Sequence, residues 1–414
     1  MKITLLIITN FLFSQSTGFS LYGVGEYYGN SYPASIALGN INYFSGNTND
    51  VVENSSSSYW KSSLTRFVVN SGLSSIIENS GHQYSQHRFT SFSLSFPIGN
   101  KKVLGLGLRP MYRFNNLNIY DDDYSYIGAD MNPSGSPIAI KNSYNISGGI
   151  SNLYLIYSQQ INKKLSLGAK LSKLLGAQSR YDKLYTYDIS FINSTDIEYI
   201  ENNVVDVTYL NVFDGSELDL EGRLHLANHE YVASFSFIGK TEIKSFKTVS
   251  SETDTNIFSQ SPFMHNIGLG YQYLSTNSWG VISEIHKLFQ FGVASELAFL
   301  GISPPSENSF HLGCFRQYSN SKIGIWNKII LRTGIFVGNQ VFDSQIFSEK
   351  SNFTNYGFAT GIGLEFLNSS HLIDVSIKLG IRESIMFINN HEKYFSIHLG
   401  ITSGEKWFLK RREK

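Results

Sequence analysis

The 414-residue chain has one cysteine, Cys314, and only eight prolines. A single thiol excludes an intramolecular disulfide and any cysteine-rich metal site. Charge is scarce as well: Asp, Glu, Lys and Arg make up 16% of residues, and 33 basic side chains balance 33 acidic ones. Without net charge the chain lacks the cationic surface that phosphate contacts need, so nucleic acid is not an expected partner. No stretch reaches the roughly 20 consecutive apolar residues of a helical membrane span. Gly-x-Ser-x-Gly and phosphate-loop motifs are missing, and the Gly-x-Gly pairs sit inside alternating segments instead of ahead of helices. His225 and His229 lie four apart with no third ligand indicated. Neither metal nor cofactor is expected, and the chain does not read as an enzyme.

What is present is aromatic and alternating. There are 30 phenylalanines, 25 tyrosines and 35 glycines. In "FTSFSLSFPIG" (89–99), Phe92, Leu94, Phe96 and Ile98 oppose Ser91, Ser93 and Ser95. The same period of two runs through "NYGFATGIGLEF" (355–366) and "HLIDVSIKLGIR" (371–382). The less apolar face carries glycine and sparse charges, and each segment runs to about ten residues, as in strands that cross a membrane within a barrel.

The connections support that reading. Short polar turns fall at 99–102, 162–164, around Gly239–Lys240, and at 275–278, 319–322 and 368–371. Long polar connections lie between them, such as 115–148, 177–204, 291–307 and 339–354. Alternation of short and long connections is the mark of an up-and-down transmembrane barrel. Six hairpins give twelve strands; further strands at 61–75 and 392–402 bring the count to 14. The expected fold is all-β, a 14-stranded antiparallel transmembrane β-barrel in contact with outer-membrane lipid and acting as a monomer.

The termini divide from the barrel. Residues 1–16 follow the order of a signal peptide, with a lysine, an apolar run from Ile3 to Phe13 and small residues after it. Residues 17–60 contain no alternation long enough to span, yet are too aromatic for a disordered tail. They read as a hatch packed in the lumen, with Leu21, Tyr22, Tyr27, Tyr28, Leu38 and Phe44 as its packing residues. The barrel is placed at 61–402 and an aromatic and basic periplasmic tail, with Trp407, Phe408 and "LKRREK", at 403–414.

Several segments, in order, resemble the FadL-type outer-membrane transporters of long-chain fatty acids and other hydrophobic compounds: "GVGEYYGNSYPASIALG", "FPIGNKKVLGLGLRP", "LSLGAKLSKLLG", "NIGLGYQY", "ILRTGIFVG", "GFATGIGLEF" and "YFSIHLGITSGEKWF". The resemblance implies a barrel in a Gram-negative outer membrane, closed by an N-terminal hatch, from which hydrophobic ligands leave sideways through the wall. It also implies a kinked third strand beside that opening. Pro110, which has no N–H to give to a ladder, falls there, with Gly105 and Gly107 before it. The alternative is a bulge near the outer rim. One departure is clear: "ENSSSSYWKSSL" (53–64) stands where relatives carry Asn-Pro-Ala.

Among inward-facing charges, Arg109, Arg113 and Lys170 are the ligand candidates, since an arginine fork suits a carboxylate. Arg332, Glu365, Asp374 and Lys378 are expected to neutralise one another. Tyr120, Tyr124 and Tyr126 offer an outer capture surface. The leading function is therefore passive uptake of hydrophobic molecules of the fatty acid or hydrocarbon type. The alternative is a barrel of the PorV type that works with secretion-machinery proteins or in surface assembly, or a structural outer-membrane barrel.

Overall fold

Residues 26–27, 30–47, 51–79, 83–120, 125–127, 138–191, 197–239, 241–249, 252–260, 263–276, 278–291, 306–319, 326–343, 350–366, 371–384 and 391–406 are described by a computed structural model of the chain. The expected signal peptide, Leu21, Tyr22, Tyr28, Tyr124, Trp407 and Phe408 lie outside the described residues.

A short strand β1 (Glu26–Tyr27), one helical turn α1 (Pro33–Ile36) and a 3-10 helix (Ser56–Lys61) precede the wall. The wall begins with β2 (Thr65–Glu78), β3 (Gln83–Gly99) and β4 (Lys102–Tyr120); the short β5 (Ser125–Ile127) follows. Three long strands come next: β6 (Ile138–Gln160), β7 (Leu165–Phe191) and β8 (Ile197–Leu226). Then come β9 (His229–Ile238), β10 (Glu242–Val249), β11 (Glu252–Gln260), β12 (Phe263–Leu274) and β13 (Trp279–Phe291). The last five are β14 (Ser306–Ser319), β15 (Trp326–Asp343), β16 (Lys350–Phe366), β17 (His371–Ser384) and β18 (His391–Glu405).

All neighbours pair antiparallel, and β18 returns to β2, with Glu405 opposite Thr65. β8 pairs with β9 along its C-terminal part and with β10 along Val207–Asp214, so β9 and β10 are two halves of one wall strand. β11 and β12 form another such pair, and 14 strands close the barrel. Closure satisfies the backbone groups that an open sheet would leave bare in lipid.

The strand count agrees with the sequence pattern; several boundaries do not. Gly239 is no hairpin. It lies at the break between β9 and β10, and the turn instead falls at Ala227–Asn228, where Ala227 takes φ 48°. Alternation from Tyr231 to Phe235 and a glycine followed by lysine imitate a strand end, yet the wall strand continues past them. The long connections are also shorter than expected, because β6, β7 and β8 extend well into 115–148 and 177–204. The barrel runs from Thr65 to Glu405 instead of 61–402, so part of the expected tail is strand.

The alternation sorts side chains inside out relative to a soluble protein. Leu167, Leu171, Leu175, Leu218, Leu220 and Ile267 are exposed to the surroundings of the barrel, whereas Ser166, Lys170, Ser172, Asp219 and Glu221 are buried inside. Apolar residues face outward because lipid, not water, is the medium there. No helix among the described residues is long and apolar enough to cross a membrane.

Candidate functional site: the lumen and its interrupted wall

Residues 30–47 and 51–62 are packed inside the barrel. α1 lies against β16, β17 and β18, and the 3-10 helix against β6, β7 and β8. Glycines on the inner face make the approach possible. A side chain at Gly168 would overlap the backbone of Ser56 and Ser57, and one at Gly334 would overlap Leu38. Leu38 and Phe44, two of the expected hatch residues, are buried in a cluster with Ile41, Tyr43, Val232, Ile282 and Phe315. Tyr27 contributes backbone pairing to β4.

Charged and polar side chains of the wall then fix this segment. Arg223 donates from Nη2 to the Tyr43 carbonyl at 2.7 Å and to Ser55 Oγ at 2.6 Å, and from Nε to Ser57 Oγ at 3.0 Å. Its guanidinium pairs with Glu230, which Lys61 also reaches at 3.2 Å. Ser55 and Ser57 donate to Glu221. Glu284 accepts the backbone N–H groups of Asn42 and Tyr43 at 2.6 and 2.8 Å. Arg332 pairs with Asp374 at 2.7 Å and also donates to the Ser45 carbonyl. The serines of "ENSSSSYWKSSL" thus bond to wall side chains inside the lumen.

Glu53 occupies a special place. Its carboxylate accepts hydrogen bonds from Asn70 on β2 and Ser91 on β3, both at 2.7 Å, and from the Tyr154 hydroxyl on β6 at 3.1 Å. Burial pushes the Glu53 carboxyl above its usual range, against the pull of these donors and of the Arg109 charge. Burial likewise raises the Tyr43 and Tyr59 hydroxyls.

The wall is interrupted beside Glu53. β3 and β4 pair from Gly99↔Lys102 to Phe92↔Leu108 and no farther. Beyond that point, Gln83–Ser91 pair with β2, while β4 from Arg109 onward pairs with β6. The β4–β6 register also shifts between Pro110 and Tyr112, which makes a bulge at Met111. Pro110 therefore stands where the ladder to β3 ends and where a bulge begins. On the edge that β4 turns toward β3, β1 takes the partnership, with Glu26↔Arg113 and Tyr27↔Tyr112.

The sequence-derived site residues separate accordingly. Gly105 and Gly107 do not loosen the ladder, because each is paired on both sides. They instead make room for the rings of Tyr59 and Tyr154. Arg109 is buried and donates to Asn54 of the inner segment. Arg113 donates to Ser151 Oγ at 2.9 Å, and Lys170 faces Asp219 at 3.9 Å. These three cations thus have protein partners, and Arg332 pairs with Asp374 as expected.

Lys378 lines a cavity of about 170 Å³ between the inner segment and the wall. One side of this cavity is apolar, with Met111, Tyr112, Ile238 and Leu288. Three of them belong to a buried cluster with Ile150, Leu174, Phe213 and Ile243, and Leu288 packs against it. The other side is basic and aromatic. Lys378 Nζ lies 4.6 Å from the Phe336 ring centroid, and the Arg382 guanidinium 4.7 Å from that of Tyr394. Arg88 joins them from β3. The sequence did carry a signal for the lumen network: "LDLEGRLHL" (218–226) sets Asp219, Glu221 and Arg223 against Leu218, Leu220 and Leu224. The missed side was the partner serines, which have no periodicity.

A family model described as BamG matches residues 1–413. Among solved structures, a TodX deltaS2S3 mutant monoaromatic hydrocarbon channel shares 14% identity, with 94% of this chain and 100% of that chain covered and a TM-score of 0.50. A Pseudomonas aeruginosa FadL homologue shares 10%, with 90% and 98% covered and a TM-score of 0.50. These likenesses concern the fold, a FadL-type barrel. No curated protein matches the chain by sequence.

Proposed function

The chain belongs to the BamG family, and we propose that this outer-membrane barrel takes up hydrophobic molecules passively and releases them sideways into the membrane. The observation that carries the reading is the meeting of two features. The apolar side of the lumen cavity, Met111 and Tyr112, lies on β4 just past Leu108, where the pairing with β3 ends. A ligand lying on that wall would reach lipid past the edge of β4 that β3 leaves and β1 covers, with no need to cross the polar lumen. The basic and aromatic side, with Arg88, Lys378 and Arg382, suits an acidic or polar head, because a cation desolvated against aromatic rings binds an anion strongly.

In this reading the segment from 17 to 60 is a hatch. Its bonds to Glu221, Arg223, Glu284 and Arg332 hold it in place, so ligand passes beside it instead of displacing it. Cells lacking the gene, complemented with the wild-type barrel, are expected to take up pyrenedecanoic acid with saturation. Equal uptake with and without the barrel would overturn the proposal.

A second reading has its own support. β6, β7 and β8 contain 23, 27 and 30 residues, two to three times the roughly 9–11 needed to cross the hydrocarbon layer. They therefore stand far out of the membrane as a paired ribbon. A projecting ribbon on a barrel with a pinned hatch suits a protein partner in secretion or surface assembly. Recovery of the barrel in a detergent-stable complex that is lost when the ribbon is shortened, with uptake absent, would favour this reading.

A further inference from the structure

We infer that the lipid-facing side of the wall carries a site for one anionic phospholipid, with an acyl chain in a groove over Gly222 and Ala233 and the phosphate at the turn between β6 and β7. The groove, of about 530 Å³, crosses β8, β9, β12 and β13. It arises from a break in an apolar row. The outward positions Leu167, Gly222, Ala233, Leu269 and Ile285 pair one after another from β7 to β13, and the two on β8 and β9 are small. The flanking rows are full, with Leu220 opposite Phe235 on one side and Leu224 opposite Tyr231 on the other, all exposed. A dent among large side chains offers a flexible chain more contact than a smooth wall does. Packing within the protein does not require the glycine, since a Cβ at Gly222 meets only Leu167 Cδ2, at 3.7 Å.

Charge at one end of the groove selects the occupant. Leu165 lines the groove and follows Lys164 directly. Lys163 and Lys164 are exposed on a turn of fixed shape. Asn162 Oδ1 accepts the backbone N–H groups of Lys164 and Leu165, both at 2.8 Å, and the Lys164 carbonyl accepts the His225 N–H at 2.7 Å. The adjoining β3–β4 turn is tied on by the Gln160 N–H, which donates to the Lys101 carbonyl at 3.1 Å, and it adds exposed Lys101 and Lys102. Neither 98–102 nor 159–165 contains Asp or Glu, and Glu221 and Glu230 on the following strands are bonded inside the lumen. In a chain with as many acids as bases, lysines gathered without acids at a membrane interface complement an anionic head. Tyr231 and Tyr271, with ring centroids 5.2 Å apart, line the groove on the side of the short turns, the level at which amphipathic rings meet headgroups. The lipid therefore lies with its head toward Lys163 and Lys164 and its chain toward the middle of the membrane.

The test uses phosphatidylglycerol with a photoreactive diazirine midway along one acyl chain, as a minor component of phosphatidylcholine vesicles that hold the full barrel. Light should label the wall around Gly222, Ala233 and Leu269 several-fold more than around Ile335, Leu379 and Ile401, which also face outward. Ala233→Phe fills the groove, and Lys163→Gln with Lys164→Gln removes the charge without touching the wall. Each should bring labelling of the groove down to that of the rest of the wall, with the heat-dependent gel-mobility shift retained; the lysine variant decides should Ala233→Phe not fold. A choline-headed probe with the same chain should label the groove less, and soluble glycerol phosphate should not compete. Even labelling around the wild-type wall would overturn the site and leave ordinary boundary lipid. Labelling unchanged in either folded variant would overturn it as well. Equal labelling by the choline-headed probe would overturn the anionic head, and competition by glycerol phosphate would reduce the site to one for phosphate alone.

Discussion

Arg223 on β8 and Glu230 on β9 form an ion pair inside the lumen, and the arginine is only 1% exposed. The pair binds the wall to the inner segment, because the same guanidinium holds the Tyr43 carbonyl and both Ser55 and Ser57. Removing one partner of such a pair leaves the other charge buried without compensation. Arg223→Met keeps much of the volume but leaves Glu230 with Lys61 as its remaining full charge and Glu221 with only its serine donors. A loss of about 3–5 kcal/mol is expected, read as a lower midpoint in the heat-dependent gel-mobility shift of the folded barrel. An unchanged midpoint would show that the network orders the segment without stabilising the barrel.

Glu53 predicts a pH dependence with a definite sign. Its carboxyl is raised from an ordinary value of 4.5 by burial, so the folded chain binds a proton at a higher pH than the unfolded chain does. Stability therefore falls as pH rises through the window between 4.5 and the raised value, and is greatest below it. Hydrogen exchange of a peptide covering 51–64, corrected for intrinsic rates, should report tighter protection at mildly acidic pH than at neutral pH. Glu53→Gln should flatten this dependence. A wild-type profile that is already flat would argue against a buried carboxyl at this position.

Close approach, not conformational freedom, explains Gly168. A Cβ there would strike the backbone between Ser56 and Ser57, which cannot turn aside as a side chain could. Gly168→Val is expected to cost about 1–3 kcal/mol and to loosen the same 51–64 peptide. Gly222→Val is the control, since a Cβ there meets only Leu167 Cδ2, at 3.7 Å. If both variants behave alike, the inner helix does not press on the wall at Gly168.

The corrected hairpin can be checked directly. A small epitope inserted at Ala227–Asn228 should be hidden in intact cells and reached only after permeabilisation, because it lies at the end with the short turns. One inserted at 250–251, between β10 and β11, should be reached from outside. Insertion after Gly239 should disturb the wall instead of labelling either side. Exposure of the 227–228 epitope in intact cells would reverse this topology.

The strand pattern was legible because lipid on one face and lumen on the other impose a period of two that a single sequence displays, as in Leu218–Leu226. The extent of β6 to β8 was not, since strands outside the membrane no longer need an apolar face. Residues 177–191 are accordingly polar and resemble a loop while pairing along their whole length with β8. The candidate site was half legible. Pro110, through its missing donor, marked the stretch of β4 where the ladder to β3 has ended and a bulge begins. The bond from Arg109 to Asn54 was not legible, because Asn54 comes from a segment 55 residues away and long-range pairing leaves no local trace. The contacts of Lys378 with Phe336 and Tyr394 were hidden for the same reason, since they arise only when β15, β17 and β18 are brought together.

Lys378 therefore carries the prediction that bears most directly on function. Its ammonium lies against Phe336 and Tyr394 and lines the cavity, so it is placed to meet an acidic head while Met111 and Tyr112 meet the chain. Lys378→Met preserves length and apolar contact but removes the charge. Loss of a charge-assisted bond of about 1.5–3 kcal/mol corresponds to roughly a 10- to 100-fold weaker association. Binding of pyrenedecanoic acid to the purified barrel should weaken by that factor, while binding of pyrene itself, which has no acid group, should stay within about twofold. Equal weakening of both probes would mean that the substitution disturbs the cavity as a whole. Weakening of neither would place the acidic head elsewhere in the lumen, and the basic side of the cavity would then serve the wall alone.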